Sequence, residues 1–303
     1  MSAEILCFGE PLFEFNEQED GMFLPSHGGD TSNCAVAAAR LGASAGILAR
    51  VGNDRFGESF LEFWRRERVD LSGAALVEGE FTGIYFVSHG PSGHEFTYYR
   101  AGSASCNWTP SALPFALIRN TKIFHFSGIG LAISDGSAET AFAAMRTARK
   151  AGAKISFDPN YRPQLLSPER AKELFRRGLQ NCDIALPGIA DVELLFGLSD
   201  PDEAIDYFFS LGCEIVALTL GNEGAVVATQ SDRNRIPPHS VSAVDATGAG
   251  DTFDGAFLAE IASGGNPLQC AVFANAAAAL STRGFGATNP MPNRRDVLRL
   301  LEN

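Results

Sequence analysis

Three observations predict an α/β fold for this chain, a three-layer α/β/α sandwich around a mostly parallel central sheet with a small β-sheet lid. From about residue 120 onward, short apolar runs alternate with segments of helical period, the pattern of a parallel sheet covered on both faces. Two stretches, roughly 11–27 and 82–100, break that alternation with turn residues and period-two patterning, so they are expected as hairpins outside the main sheet. Late in the chain, Gly248-Ala249-Gly250-Asp251 opens a segment with apolar residues at Phe253, Ala256, Phe257 and Ile261, a glycine-rich turn delivered onto a helix. The 303 residues, 45% hydrophobic, can bury a sizeable core. No low-complexity linker or internal repeat divides them, and one domain over residues 1–303 is expected.

Taken in order, residues 4–9 form a buried strand that ends at Gly9-Glu10-Pro11. Gly28-Gly29-Asp30-Thr31-Ser32-Asn33 opens a helix of small residues, with Thr31 or Ser32 able to cap it. A strand at 45–51, an amphipathic helix at 56–67 and a short strand at 74–77 follow. In the second excursion, Ile84–Val87 and Glu95–Tyr99 flank the turn Gly90-Pro91-Ser92-Gly93. Strands are then expected near 122–126, 153–157, 183–186 and 214–219, and helices near 137–150, 168–178, 189–196 and 201–210. A hairpin at 226–229 and 235–237 precedes helices at 251–262, 267–281 and 293–302. The two early hairpins could cover the C-terminal edge of the sheet, where open α/β folds bind ligands.

Composition excludes several classes. Thirty-six acidic against 24 basic residues give a net charge of −12, which argues against nucleic acid or an anionic membrane as partner. Six cysteines lie far apart without a paired motif, and most sit in apolar runs, as buried free thiols would. The five histidines show no ligand spacing. The N-terminus is strand-like rather than signal-like, and no apolar run reaches membrane-spanning length, so a cytoplasmic protein is expected.

The glycine-rich turn carries the chemistry. Small residues let an anion approach the free amides at a helix start, where the dipole favours negative charge. A carboxylate at that end, Asp251, is expected to stay ionised and to accept a proton from a hydroxyl held against the loop. A plain N-capping aspartate would have the same local sequence. The longer string Asp245-Ala246-Thr247-Gly248-Ala249-Gly250-Asp251-Thr252-Phe253 is similar to the C-terminal signature of the ribokinase-like (phosphofructokinase-B type) carbohydrate kinases. The resemblance implies ATP and Mg2+ as cofactors, Asp251 as catalytic base, and the amides of Gly248, Ala249 and Gly250 around the transferring phosphate.

Other stretches extend it. Gly28-Gly29 with Asn33 resembles the family's N-terminal signature, in which glycines admit a sugar to the backbone and the asparagine bonds a hydroxyl. Tyr98 and Arg100 share a strand face, and Arg100 could meet a ligand carboxylate through its planar guanidinium. Arg162, after the strand at 153–157, could meet a carboxylate or a nucleotide phosphate, or merely pair with Asp158. Phe81–Tyr85, Tyr98–Ala104, Phe126–Ile129 and Asp158-Pro159-Asn160-Tyr161-Arg162 look like 2-keto-3-deoxygluconate kinases, with fructokinases sharing much of the scaffold. That resemblance implies sugar-acid contacts at Gly29, Asn33, Tyr85, Tyr98, Arg100 and Arg162. It places Asn160, Thr219, Gly221, Gly224 and Asn275 towards the nucleotide, although Asn275 could equally make a buried helix-to-loop hydrogen bond.

Two departures stand out. Where relatives carry Asn-x-x-Glu near the metal, this chain reads Gly188-Ile189-Ala190-Asp191, leaving Asp191 as a metal candidate. Thr219 stands before Gly221 where relatives often carry lysine or threonine. Asp245 and the 283–286 turn could correspond to a monovalent-cation loop, taking an ion such as K+. Glu10, ending the first strand, could bond a hydroxyl. The expected partner is a small sugar or sugar acid, and an exposed lid strand could pair between subunits as a homo-oligomer. A catalytically silent sugar-binding regulator on the same scaffold is the alternative of another class.

Overall fold

The computed structural model describes residues 3–18, 20–90 and 93–302. Strand β1 (Ile5–Phe8) leads into the hairpin β2 (Leu12–Glu17) and β3 (Phe23–Gly28). Helix α1 (Asp30–Arg40), β4 (Ala45–Gly52), α2 (Arg55–Arg66) and β5 (Asp70–Val77) follow, then the hairpin β6 (Ile84–Gly90) and β7 (Gly93–Tyr99). Pro91 and Ser92, at its expected turn, lie outside the described residues. The alternating part runs α3 (Phe115–Ile118), β8 (Ile123–Ser127), α4 (Gly128–Ala132), α5 (Asp135–Lys150), β9 (Lys154–Asp158), α6 (Pro168–Leu179) and β10 (Ile184–Ala185). It continues through α7 (Ile189–Phe196), α8 (Pro201–Ser210), β11 (Ile215–Thr219), β12 (Ala225–Thr229) and β13 (Arg233–Ile236). Helices α9 (Ala249–Ala262), α10 (Pro267–Ser281) and α11 (Arg294–Leu301) close the chain.

Nine strands form the main sheet in the order β13-β12-β11-β10-β9-β8-β1-β4-β5. It is parallel from β11 to β5, and β12 and β13 add an antiparallel edge. Alternation along β1 divides the core. Ile5 and Cys7 pack with α1, α2, α9 and α10, while Leu6 and Phe8 pack with α5, α6, α7 and α8. The four-stranded lid runs β3-β2-β6-β7. Its two antiparallel hairpins are joined by parallel pairing of β2 with β6.

Two local expectations are corrected. The N-cap of α1 is Gly29, at φ 97°, and neither Thr31 nor Ser32 caps it. Ser32 instead accepts the Trp64 indole N–H at 2.9 Å, tying α1 to α2. The strand expected at 74–77 begins earlier, at Asp70, where it already pairs with Gly46 of β4, and the ladder shifts register before Leu48 and Gly73. One packing detail positions the site. A Cβ at Gly255 would stand 2.4 Å from the Cys34 carbonyl oxygen and 2.7 Å from the Ala37 Cβ. The missing side chain thus lets α1 and α9 pack closely, and both helices begin at the same cleft.

Candidate active site

The strands of the main sheet end beneath the lid, and the starts of α1, α7 and α9 face the same space. A cavity of about 500 Å³ lies there. Its wall brings together Gly29, Asn33, Tyr85, Tyr98, Arg100, Asn160, Arg162, Asp191, Thr219, Gly248, Gly250 and Asp251. These positions span more than two hundred residues of sequence, and the topology gathers them at one sheet edge.

The glycine-rich corner forms where the chain enters α9. Gly248 caps the helix in a left-handed conformation, φ 75°, and a Cβ there would stand 2.7 Å from the Ala287 carbonyl oxygen. Backbone strain and steric overlap therefore both require glycine. The Ala249 amide closes a turn onto the Ala246 carbonyl at 3.1 Å, so it is not free as the sequence suggested. The amides of Gly250 and Asp251 stand in the first turn of the helix, which has no carbonyl a turn earlier to receive them. A Cβ at Gly250 would meet nothing within 4 Å, so that side of the turn is open. Thr247, also on the cavity wall, carries a buried hydroxyl with no partner among the described residues.

Asp251 accepts the Asn33 side-chain amide on Oδ2 at 2.8 Å, joining the starts of α1 and α9. The Asn33 Oδ1 atom is buried without a partner among the described residues, in a side chain that lines the cavity. Burial is the main cause that pushes the Asp251 carboxyl up, to about 7, and the charge of Asp30 adds to it. The Asn33 bond and the Arg162 charge act the other way. The expectation of a carboxylate ionised by the helix end is corrected: desolvation outweighs the dipole. A base near neutral pH is nevertheless well matched to taking a proton from an alcohol. Asp158 and Asp254 are pushed well above the ordinary carboxylate range, first by burial and then by neighbouring aspartates.

Both arginines meet a carboxylate of the chain, and for Arg162 it is not the one the sequence suggested. Arg100 is buried, 8% exposed, and donates from Nη2 to Glu10, whose side chain is fully buried. Burial lifts Glu10 to about 7 despite the guanidinium beside it. Arg100 also lies over the Tyr98 ring at 5.2 Å, and its Nε has no partner among the described residues. Arg162 is 40% exposed and stands 3.7 Å from Asp191, not against Asp158. It lines the cavity with Tyr98 and Asp251, and its charge offsets part of the burial that raises both groups.

The remaining expected residues lie on, behind or beside the wall. Gly28 pairs with Leu12 in the lid and leaves room for the Tyr85 hydroxyl, which a Cβ would approach to 2.5 Å. Asn160, at the unusual φ of 33°, donates to Asp30 at 3.1 Å, on the α1 side of the cleft. Gly221 and Gly224 turn the chain between β11 and β12, outside the cavity lining. Asn275 makes the helix-to-loop bond, donating to the Pro237 carbonyl at 2.9 Å. Asp245 accepts the amides of Thr247 and Gly286 at 2.8 and 2.9 Å, closing the loop suggested for a monovalent cation. Asp30, Asp158, Thr247 and Asp254 were not singled out from sequence as site residues, though all line the cavity. The first two sit inside quoted strings, and Thr247 and Asp254 sit within or just after the glycine-rich one.

This cleft offers an open helix start for an anion, a carboxylate of near-neutral pKa beside it, and a polar floor beneath a lid, the layout of a small-molecule phosphotransferase. The model of the pfkB family carbohydrate kinases matches residues 3–294. The chain is 32% identical to fructokinase-1 of Oryza sativa, over 100% of this chain and 98% of the relative. It is 31% identical to the 2-dehydro-3-deoxygluconokinase of Thermoproteus tenax, over 98% and 94%. A fructokinase double mutant from Vibrio cholerae, solved with fructose, ADP and potassium ion, superposes with a TM-score of 0.89 at 26% identity, covering 99% of both chains. The chain belongs to the pfkB family of carbohydrate kinases and is an ATP-dependent sugar kinase.

Proposed function

We propose that the chain transfers the γ-phosphate of ATP to the primary hydroxyl of a sugar acid, 2-keto-3-deoxygluconate or a close relative, giving its 6-phosphate. The observation that carries the acid is Arg162, a partly exposed guanidinium on the cavity wall with Tyr98 and Asp251, whose only ion partner among the described residues, Asp191, stands 3.7 Å away. With its Nε unpartnered, Arg100 adds a second donor beside the Tyr98 ring. A carboxylate between these groups would gain charge-assisted hydrogen bonds, each contributing on the order of 1.5–3 kcal/mol.

In this reading Asn33 and Asp251 hold the reacting hydroxyl, and Asp251 takes its proton as the phosphoryl group arrives. The amides of Gly250 and Asp251 and the Thr247 hydroxyl receive charge developing on that group. Among the described residues no cluster of three metal-ligating side chains exists. Mg2+ would be carried on phosphates and water, with Asp191, at the start of α7 on the cavity wall, as the carboxylate that holds it. The metal would neutralise phosphate charge, and a monovalent cation would sit at the Asp245 loop. Thr219, on the wall away from the lid, faces the phosphates, while Gly221, Gly224 and Asn275 shape the nucleotide's outer margin. The six free cysteines support a reducing cytoplasm.

A neutral ketose is the second reading, favoured by the pairing of Arg100 with Glu10, which already compensates one of the two cations. The test is turnover on 2-keto-3-deoxygluconate and on fructose at equal concentration, for the wild type and for Arg162→Met. The acid should be the better substrate, and its KM should rise about ten- to hundredfold in the variant, with fructose unaffected. Better turnover on fructose by both proteins would establish the ketose reading instead. Phe23 and Tyr99, 40% and 60% exposed, flank the half-buried Phe86 on the lid. We place a second copy of the chain there. Light scattering should find a dimer that Phe23→Ser with Tyr99→Ser dissociates, and a wild-type monomer would exclude it.

A further inference from the structure

Glu14 is a fully buried carboxylate on the lid strand β2 that the reaction as described leaves without a task. It faces Tyr85 across the parallel pairing of β2 with β6, and the Tyr85 hydroxyl donates to its Oε2. The phenol, pushed well above its ordinary range by burial and then by Glu14, keeps its proton. Burial and Asp245 raise the Glu14 carboxyl, while the Tyr85 hydroxyl, the Asn16 side chain and the Ala287 amide draw it down. On its other side Glu14 abuts Gly286, where a Cβ would lie 3.2 Å from Oε1. Oε2 thus receives the Tyr85 hydrogen bond, and the Tyr85 side chain forms part of the cavity wall.

We propose that Glu14 is a positioning residue that fixes the hydrogen-bond polarity of Tyr85, so that the phenol oxygen offers only lone pairs to the cavity and selects a donating hydroxyl of the substrate. A phenol has one proton, and here Glu14 receives it. A carboxylate or carbonyl oxygen of the substrate brought to Tyr85 would meet lone pairs and be disfavoured. The acid end of the substrate therefore lies on the Arg162 side and a hydroxyl-bearing carbon lies under Tyr85. This rests on the reading of the cavity as the sugar site, and holds for a sugar acid or a ketose alike.

The experiment is a double-mutant cycle on the sugar KM, with kcat, ATP KM and melting temperature measured in parallel. Glu14→Gln keeps the shape but presents an amide that can donate to the phenol, and Glu14→Met removes the acceptor altogether. Both should raise the KM of the better of 2-keto-3-deoxygluconate and fructose by about two- to tenfold. Neither should change the ATP KM, and in a Tyr85→Phe background neither should have further effect. A merely structural Glu14 would instead lower kcat and melting temperature together and act equally with or without the Tyr85 hydroxyl, which would overturn the proposal. An unchanged KM in both Glu14 variants would also overturn it. If Tyr85→Phe alone leaves the sugar KM unchanged, it is the placing of sugar against Tyr85 that fails.

Discussion

Replacing Asp251 should stabilise the protein. The Asp251 carboxyl rises from its ordinary 3.8 to about 7 in the fold, mainly through burial. The folded chain then holds a proton that the unfolded chain has released between those two values, so stability falls as pH rises through that window and the full penalty is present above about pH 7. At roughly 1.4 kcal/mol for each pH unit, the penalty is about 4 kcal/mol. Asp251 keeps some exposure to the cavity and shares charge with Asp30, so about 2–4 kcal/mol is the working range. Asp251→Asn removes the ionisable group, and its side-chain oxygen can still accept the Asn33 amide that Oδ2 receives now. Urea denaturation at pH 8 should find the variant more stable by that amount, and at pH 5 less than half of the gain should remain. A variant no more stable at pH 8, or a gain that does not shrink on acidification, would refute the burial argument.

Other outcomes follow from the same geometry. In the wild type, kcat/KM should fall about tenfold per unit as pH drops below about 7, because the base protonates; a flat profile down to pH 5 would deny Asp251 that role. Gly248→Ala meets both a left-handed backbone and the Ala287 carbonyl, so melting temperature and turnover should fall together, by about 1–3 kcal/mol in stability. Gly250→Ala meets no protein atom within 4 Å, and should lower turnover with little change in melting temperature; unchanged turnover would move the anion away from that turn.

Much of this site was legible because its parts are local. The string around Gly248 and Asp251 specifies a helix start and its acid within a few residues, and the pairs Gly28-Gly29 and Tyr98–Arg100 do the same for their strands. Pairings across the chain were not legible. That Glu10 takes Arg100 and Asp191 stands by Arg162 depends on which elements the topology makes neighbours. The raised Asp251 carboxyl was hidden for the same reason, since its burial depends on α1, β9 and the lid closing around it rather than on the helix start alone. The cap of α1 was missed because Gly29 follows directly on β3 and enters the helix at positive φ, which left Thr31 and Ser32 inside it.

The central claim is that Asp251 takes the proton of a sugar hydroxyl while phosphate is transferred from ATP. The most direct measurement is the rate of γ-phosphate transfer to sugar by Asp251→Asn, with ATP affinity measured on the same protein. The account predicts a rate lower by about 10²–10⁴ with ATP binding retained. Transfer at a near wild-type rate would contradict it.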